Sequence, residues 1–141
     1  MRLLGIFYMY SDEQFATNLD DDILVSLYLK PSDDVVIDGS FCWDYFFRFE
    51  NNSSDDVVLL SKHLSVIDSK GKSISVDYNG FRGQLPELVP GDEFEDDGYV
   101  TSKTSAILKG FCKIRIGDKI REVELPIVPL IANDNEIRIL N

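Results

Sequence analysis

FCWDYFFRFENNSSDDVVLLSKHLSVID, residues 41–68, decides the fold. Phe41, Trp43, Tyr45, Phe47 and Phe49 fall at every second position, so a pleated strand carries all five rings on one face. A helix, with its period of about 3.6 residues, would scatter them around its axis. Asn51 to Asp56 supplies a turn, and VVLLSKHLSVID returns as a second long strand. Both are expected to be core strands of a β-sandwich.

The remaining composition fits one such unit. With 141 residues, 44% of them hydrophobic, the chain can bury one core but not two of ordinary size. A net charge of −11 repels phosphate backbones and anionic bilayers, so neither nucleic acid nor membrane is an expected partner. Residues 1–56 carry twelve acids against three bases, whereas residues 57–141 carry thirteen against eleven. One end of the fold is therefore expected to be acidic: a solvated surface first, and an attractor of cations second. Cys42 and Cys112 fit neither a disulfide framework nor zinc-ligand spacing, which points to reduced strand thiols and a cytoplasmic setting. No apolar run approaches the ~18–20 residues that span a bilayer. LLGIFYMY, residues 3–10, runs directly into acids without a small-residue cleavage site and is not read as an export signal.

Taken in order, residues 1–20 read as an N-terminal extension or edge strand, residues 21–132 as the sandwich domain, and residues 133–141 as a tail, loose or a last edge strand. ILVSLYLK after Asp22 is the first core strand, stopped before Pro31. The loop that follows carries an optional short strand at Val35 to Ile37. Asp68 to Gly71 forms a tight turn into a strand over 72–76, and DYNGFRGQLPELVPGDEF is mostly loop, with Pro90-Gly91 at the centre of a type II turn. A strand starts near Glu93, another is AILKGFCKIRI, and Gly117-Asp118 turns the chain back into KIREVELPIV. Seven or eight strands without an amphipathic helix predict an all-β, antiparallel two-sheet sandwich of the immunoglobulin or fibronectin type III kind.

No catalytic set is evident. His63 is the one histidine and falls one position off the apolar face expected from Val58, Leu60, Leu64 and Val66; no nucleophile motif accompanies it. Asp92, Glu93, Glu95, Asp96 and Asp97 cluster, as do Asp20 to Asp22, but match no calcium loop, and neighbouring strand residues point to opposite faces. No metal site and no cofactor are expected. Asn79-Gly80-Phe81-Arg82-Gly83 admits two readings, glycines shaping an inter-strand turn or a cradle for phosphate completed by Arg82.

LLSKHLSVIDSKGK, the Gly80 to Gly83 loop, LPELVPGDEFE and AILKGF, following WDYFFRFENNS in this order, resemble the ApaG family over about Phe15 to Leu130. The resemblance implies a fibronectin type III-like sandwich. It also implies a link to cobalt and magnesium tolerance, and a domain that looks like a protein-binding module where it occurs in eukaryotic F-box proteins. The family's GxGxxG loop, proposed to hold pyrophosphate, maps its second and third glycines onto Gly80 and Gly83, with Tyr78 at the first position. The expected function is a non-enzymatic protein-binding module, monomer or homodimer, that meets its partner through Lys62, His63, Tyr78, Gly80, Arg82 and Gly83. The alternative is a pyrophosphate- or nucleotide-binding protein tied to divalent-cation balance.

Overall fold

The aromatic stretch is the strand β5 (Phe41–Asn51), and its alternation is visible in the burial: Trp43, Tyr45, Phe47 and Phe49 are at most 2% exposed, while Phe46 and Arg48 face outward. The structure, a computed structural model, describes residues 2–4, 8–10, 13–32 and 38–132. The expected strand at Val35 to Ile37 and the tail at 133–141 lie outside the described residues.

Besides β5, the chain forms β1 (Arg2–Leu4), β2 (Tyr8–Tyr10), β3 (Glu13–Asp20), β4 (Ile23–Pro31), β6 (Val57–Asp68), β7 (Ser73–Asn79), β8 (Glu87–Leu88), β9 (Glu93–Ser102), β10 (Ala106–Ile116), β11 (Lys119–Glu124) and β12 (Val128–Leu130). No helix occurs among the described residues. One antiparallel sheet runs β1-β3-β4-β5-β9, with β2 also on β3. The other runs β11-β10-β6-β7, with β12 on β10 and β8 on β6. The two-sheet sandwich is as expected, and eight of the twelve strands have six residues or more. The other four have two or three residues, too few for an alternation to register.

Three local readings change. β7 pairs with β6 out to Asn79 rather than stopping at residue 76. KIREVELPIV is two strands on the same edge of β10: Pro126, which cannot donate to a ladder, separates them, and Leu125 N–H still donates to Gly110 O (3.0 Å). On β6 a β-bulge changes the parity. Lys113 pairs with Ser61 but Ile114 pairs with Leu59, so Leu60 is the extra residue. The core face is therefore Val57 and Leu59 before the bulge, and Lys62 and Leu64 after it, rather than the expected row containing Val58 and Leu60.

The two flanks of the sandwich are joined differently. On the β3 side, Gln14 Nε2 donates to Pro129 O (2.6 Å) and Asn18 Nδ2 to Glu124 O (2.7 Å), neutral links from one sheet to the other. At one end, fully buried Asn51 ties three segments together. Its Nδ2 donates to Asp55 O and Leu88 O (2.8 Å each), while its Oδ1 accepts from Ser53 N (3.0 Å) and Ser53 Oγ (2.6 Å). The type II turn forms beside it, with Gly91 at φ 90° and Asp92 N–H donating to Val89 O (2.9 Å). Asn51→Leu strands two carbonyls and is expected to lower stability by about 2–3 kcal/mol. A urea midpoint equal to that of the unsubstituted chain would contradict that role for Asn51.

Candidate functional site

On the opposite flank, where β7 and β9 are the outermost strands of their sheets, a lysine is buried between the layers. Lys62 of β6 is 4% exposed and Asp96 of β9 is 3% exposed. Lys62 Nζ donates to Asp96 Oδ2 (2.5 Å) and to Tyr45 Oη (2.8 Å). The rings of Tyr78, Tyr45 and Phe81 stand 4.6, 4.9 and 5.7 Å from it. Removing two charges from water costs several kcal/mol per ion, and a short ion pair, a phenol oxygen and three ring faces offset that here. Burial, with the Asp96 charge second, raises the Tyr45 phenol above its ordinary range and keeps it neutral. Gly98 faces Tyr45 across the β5–β9 ladder, and a Cβ there would collide with the Tyr45 ring.

The cage floors a groove of about 480 Å³ that opens between β7 and β9. Ile74, Val76 and Tyr78 form one wall, and Tyr99 and Val100 the other. Gly80 and Arg82 shape its end. Phe81-Arg82-Gly83-Gln84 is a two-residue turn: Arg82 and Gly83 have φ of 54° and 76°, Phe81 N–H donates to Gln84 O (2.7 Å) and Gln84 N–H returns to Phe81 O (3.0 Å). Gly80 donates to Leu60 O (2.8 Å); at φ 77° a Cβ on it would meet Gln84 O at 2.6 Å. Phe81, 1% exposed, packs edge-on against Phe49 and Phe94 and pins the turn to the core.

Of the six residues expected at a binding surface, Lys62, Tyr78, Gly80 and Arg82 share this groove; Gly83 does not line it, and His63 points out of the other face of β6. Lys62 is enclosed rather than presented to solvent, and Arg82 is ion-paired with Asp97. The acid run is likewise engaged: Asp96 holds Lys62, Asp97 holds Arg82 and Glu93 holds Arg48. No group of three or more metal-ligating side chains converges among the described residues. Asp96, Phe81 and Tyr45 were not foreseen as parts of the site. Alternation through Phe94, Asp96, Gly98 and Val100 carried the signal for Asp96.

His63 stacks on Phe111 (centroids 4.4 Å apart). Its Nδ1 meets Asp77 Oδ1 (2.6 Å) and its Nε2 meets Ser61 Oγ (2.9 Å). The order Ser–His–Asp is that of a hydrolase relay. Ser61, however, lies mid-sheet between Lys113 and Asn79, and the cavity of about 290 Å³ beside His63 does not include it. The arrangement is a hydrogen-bonded row whose serine lies outside the neighbouring hollow.

The family pattern described as the ApaG domain matches residues 32–114, more than half of the chain. The chain belongs to the ApaG-domain family. It is 28% identical to Protein ApaG of Bradyrhizobium sp. (strain BTAi1) over 123 residues, 85% of this chain and 93% of that one. It is 39% identical to Protein ApaG of Vibrio vulnificus over 54 residues, 38% of this chain and 43% of that one. A Bordetella pertussis crystal structure designated ApaA has the same fold, with a TM-score of 0.72 at 22% identity over 78% of this chain and 93% of that one. The ApaG match contains Lys62, Asp96 and both groove walls, and ends before β11.

Two outcomes are expected. Lys62→Met leaves Asp96 buried and uncompensated, at a cost of about 3–5 kcal/mol, and adding Asp96→Leu recovers most of it. Urea unfolding of the single and double variants reads this, and a single variant as stable as the parent would refute it. Cys112 is fully buried, and burial pushes its thiol up to about 12 from 9.0. The native state then keeps a proton that the unfolded chain gives up. Stability is intact below about pH 9 and falls toward pH 12 by up to about 1.4 kcal/mol per pH unit. Cys112→Val should flatten that alkaline loss, and identical slopes would remove the thiol as its cause.

Proposed function

We propose that this ApaG-domain chain is a non-enzymatic binding module that receives an extended segment of another protein in the groove between β7 and β9. One observation carries the reading. β7 is exposed at all seven residues, has a free outer edge among the described residues, and turns Ile74, Val76 and Tyr78 toward an unfilled cleft with 58%, 46% and 38% of each exposed. An added strand satisfies such an edge, and its alternate side chains enter the cleft. Lys62 acts from beneath by holding the floor, and Gly80 with Arg82 closes one end. The buried thiols, joined by no disulfide, are compatible with a cytoplasmic setting. A homodimer made through β7 is the self-partnered form of the same contact.

The pyrophosphate reading draws support from Arg82, whose side chain is 62% exposed at the groove's end. Against it, Lys62 and Arg82 already face carboxylates, and the amides of Gly80, Phe81 and Gln84 already donate to carbonyls. A phosphate would have to displace acids rather than find an empty cradle. Ser61 lies outside the cavity beside His63, which favours binding over hydrolysis.

Affinity capture with the wild-type chain, compared with Val76→Asp and with Tyr78→Ala, tests the groove. At least a tenfold loss of a captured protein is expected, with slowed hydrogen exchange along β7 when that protein is added. Undiminished capture by both variants would count against the site. Calorimetry with pyrophosphate and diadenosine tetraphosphate, with and without magnesium or cobalt, is expected to give no saturable heat. Saturable binding abolished by Arg82→Ala would reverse the order of the two readings.

A further inference from the structure

The outer face of the β1-β3-β4-β5-β9 sheet carries a row of rings set by register alone. Phe15 of β3 lies opposite Tyr28 of β4, Tyr28 opposite Phe46 of β5, and Phe46 opposite Asp97 of β9. Phe15 and Phe46 are 39% and 40% exposed, and the Tyr28 and Phe46 rings lie 5.9 Å apart. They wall a second hollow of about 430 Å³, whose other side includes Glu50, Glu95 and Asp97 together with Arg48 and Arg82. The pleat sends Glu13, Asp44, Glu50, Glu93, Glu95 and Asp97 to this face, against Lys30 and Arg48, and Arg82 reaches it from its turn to pair with Asp97, so acids still outnumber bases there. Arg48 is held by Glu93, and Lys30 Nζ stands 6.0 Å from the Phe46 ring, so one ring of the row already faces a cation.

We infer that this aromatic and acidic face is a second interaction surface, one that takes an arginine-bearing extended segment of a partner protein. Ring faces stack on planar guanidinium groups, and carboxylates beside them accept its hydrogen bonds in pairs. The charge excludes the obvious rivals: a second copy would set the same acidic face against itself, and nucleic acid would be repelled. The surface meets the groove between β7 and β9 at Arg82, Asp96 and Asp97, but its rings, Phe15, Tyr28 and Phe46, lie outside that groove.

A peptide with arginine at alternate positions, titrated calorimetrically into the full chain at about 0.1 M salt, tests this under conditions that screen exposed charges beyond ~10 Å. Saturable binding is expected, weakened at least tenfold by Phe46→Ala and several-fold by Glu95→Gln. Neither residue is buried, and an unchanged thermal midpoint confirms the fold. A lysine peptide of equal charge should bind at least several-fold more weakly. No saturable binding, equal binding of the lysine peptide, or full affinity in Phe46→Ala would overturn the proposal. Spermidine binding as tightly as the peptide would overturn it too, because the face would then read charge alone.

Discussion

An ammonium and a carboxylate enclosed between two sheets are the constraint around which this molecule is arranged. Lys62 and Asp96 come from different sheets, so their attraction fixes how closely β6 and β9 approach, and each must face inward for the pair to exist. On β9 simple alternation achieves this. On β6 it does not: Val57 and Leu59 face the core, and strict alternation would send Lys62 to solvent. The extra residue at Leu60 resets the pleat, which makes the bulge a condition of the ion pair. Gly98 makes room for the Tyr45 ring, and the turn after Gly80 delivers Phe81 beneath the cation.

The two flanks of the sandwich are closed by different chemistry. Where Gln14 and Asn18 reach across to carbonyls, the sheets are joined by neutral groups that cost little to bury once bonded. Where Lys62 and Asp96 meet, the pair holds the layers together from inside, and among the described residues nothing pairs with the outer edges of β7 and β9. A side closed by apolar packing would have had to bury Ile74, Val76 and Tyr78. A side closed at depth by a charge pair can leave them exposed, which yields a groove with a rigid floor.

Much of the architecture is legible in the sequence because the aromatic strand obeys a period of two without interruption from Phe41 to Phe49. The turns at Asp68–Gly71, Pro90-Gly91 and Gly117-Asp118 carry their own chemistry. What escapes reading has a common cause. A bulge is one residue with no compositional mark, so Val58 and Leu60 look like core and Lys62 looks like surface. Strands of two or three residues are too brief to alternate, and the split at Pro126 separates two pieces that both find β10. Tyr78 and Asn79 read as loop but close β7, and the glycines after them serve a turn anchored by Phe81, a residue whose burial no local pattern announces. His63, adjacent to Lys62 in sequence, is on the far side of the sheet for the same reason of parity.

The run Glu93-Phe-Glu-Asp-Asp97 shows how far that parity reaches into function. By composition its acids are equivalent, and a metal or phosphate-linked metal site is the natural first thought. The pleat separates them. Asp96 turns inward, loses its water and becomes structural through Lys62; Glu93, Glu95 and Asp97 turn outward beside the aromatic row, where Glu93 meets Arg48 and Asp97 meets Arg82. Three of these carboxylates share the outward side, yet Glu93 is paired with Arg48 and Asp97 with Arg82, and no group of three metal-ligating side chains converges among the described residues. One short acidic run thus stabilises the junction of the sheets and gives the outer surface its sign. Moving the strand by a single residue would exchange those roles, burying two unpaired acids, so the register of β9 is held as firmly by the cost of buried charge as by its ladder with β5.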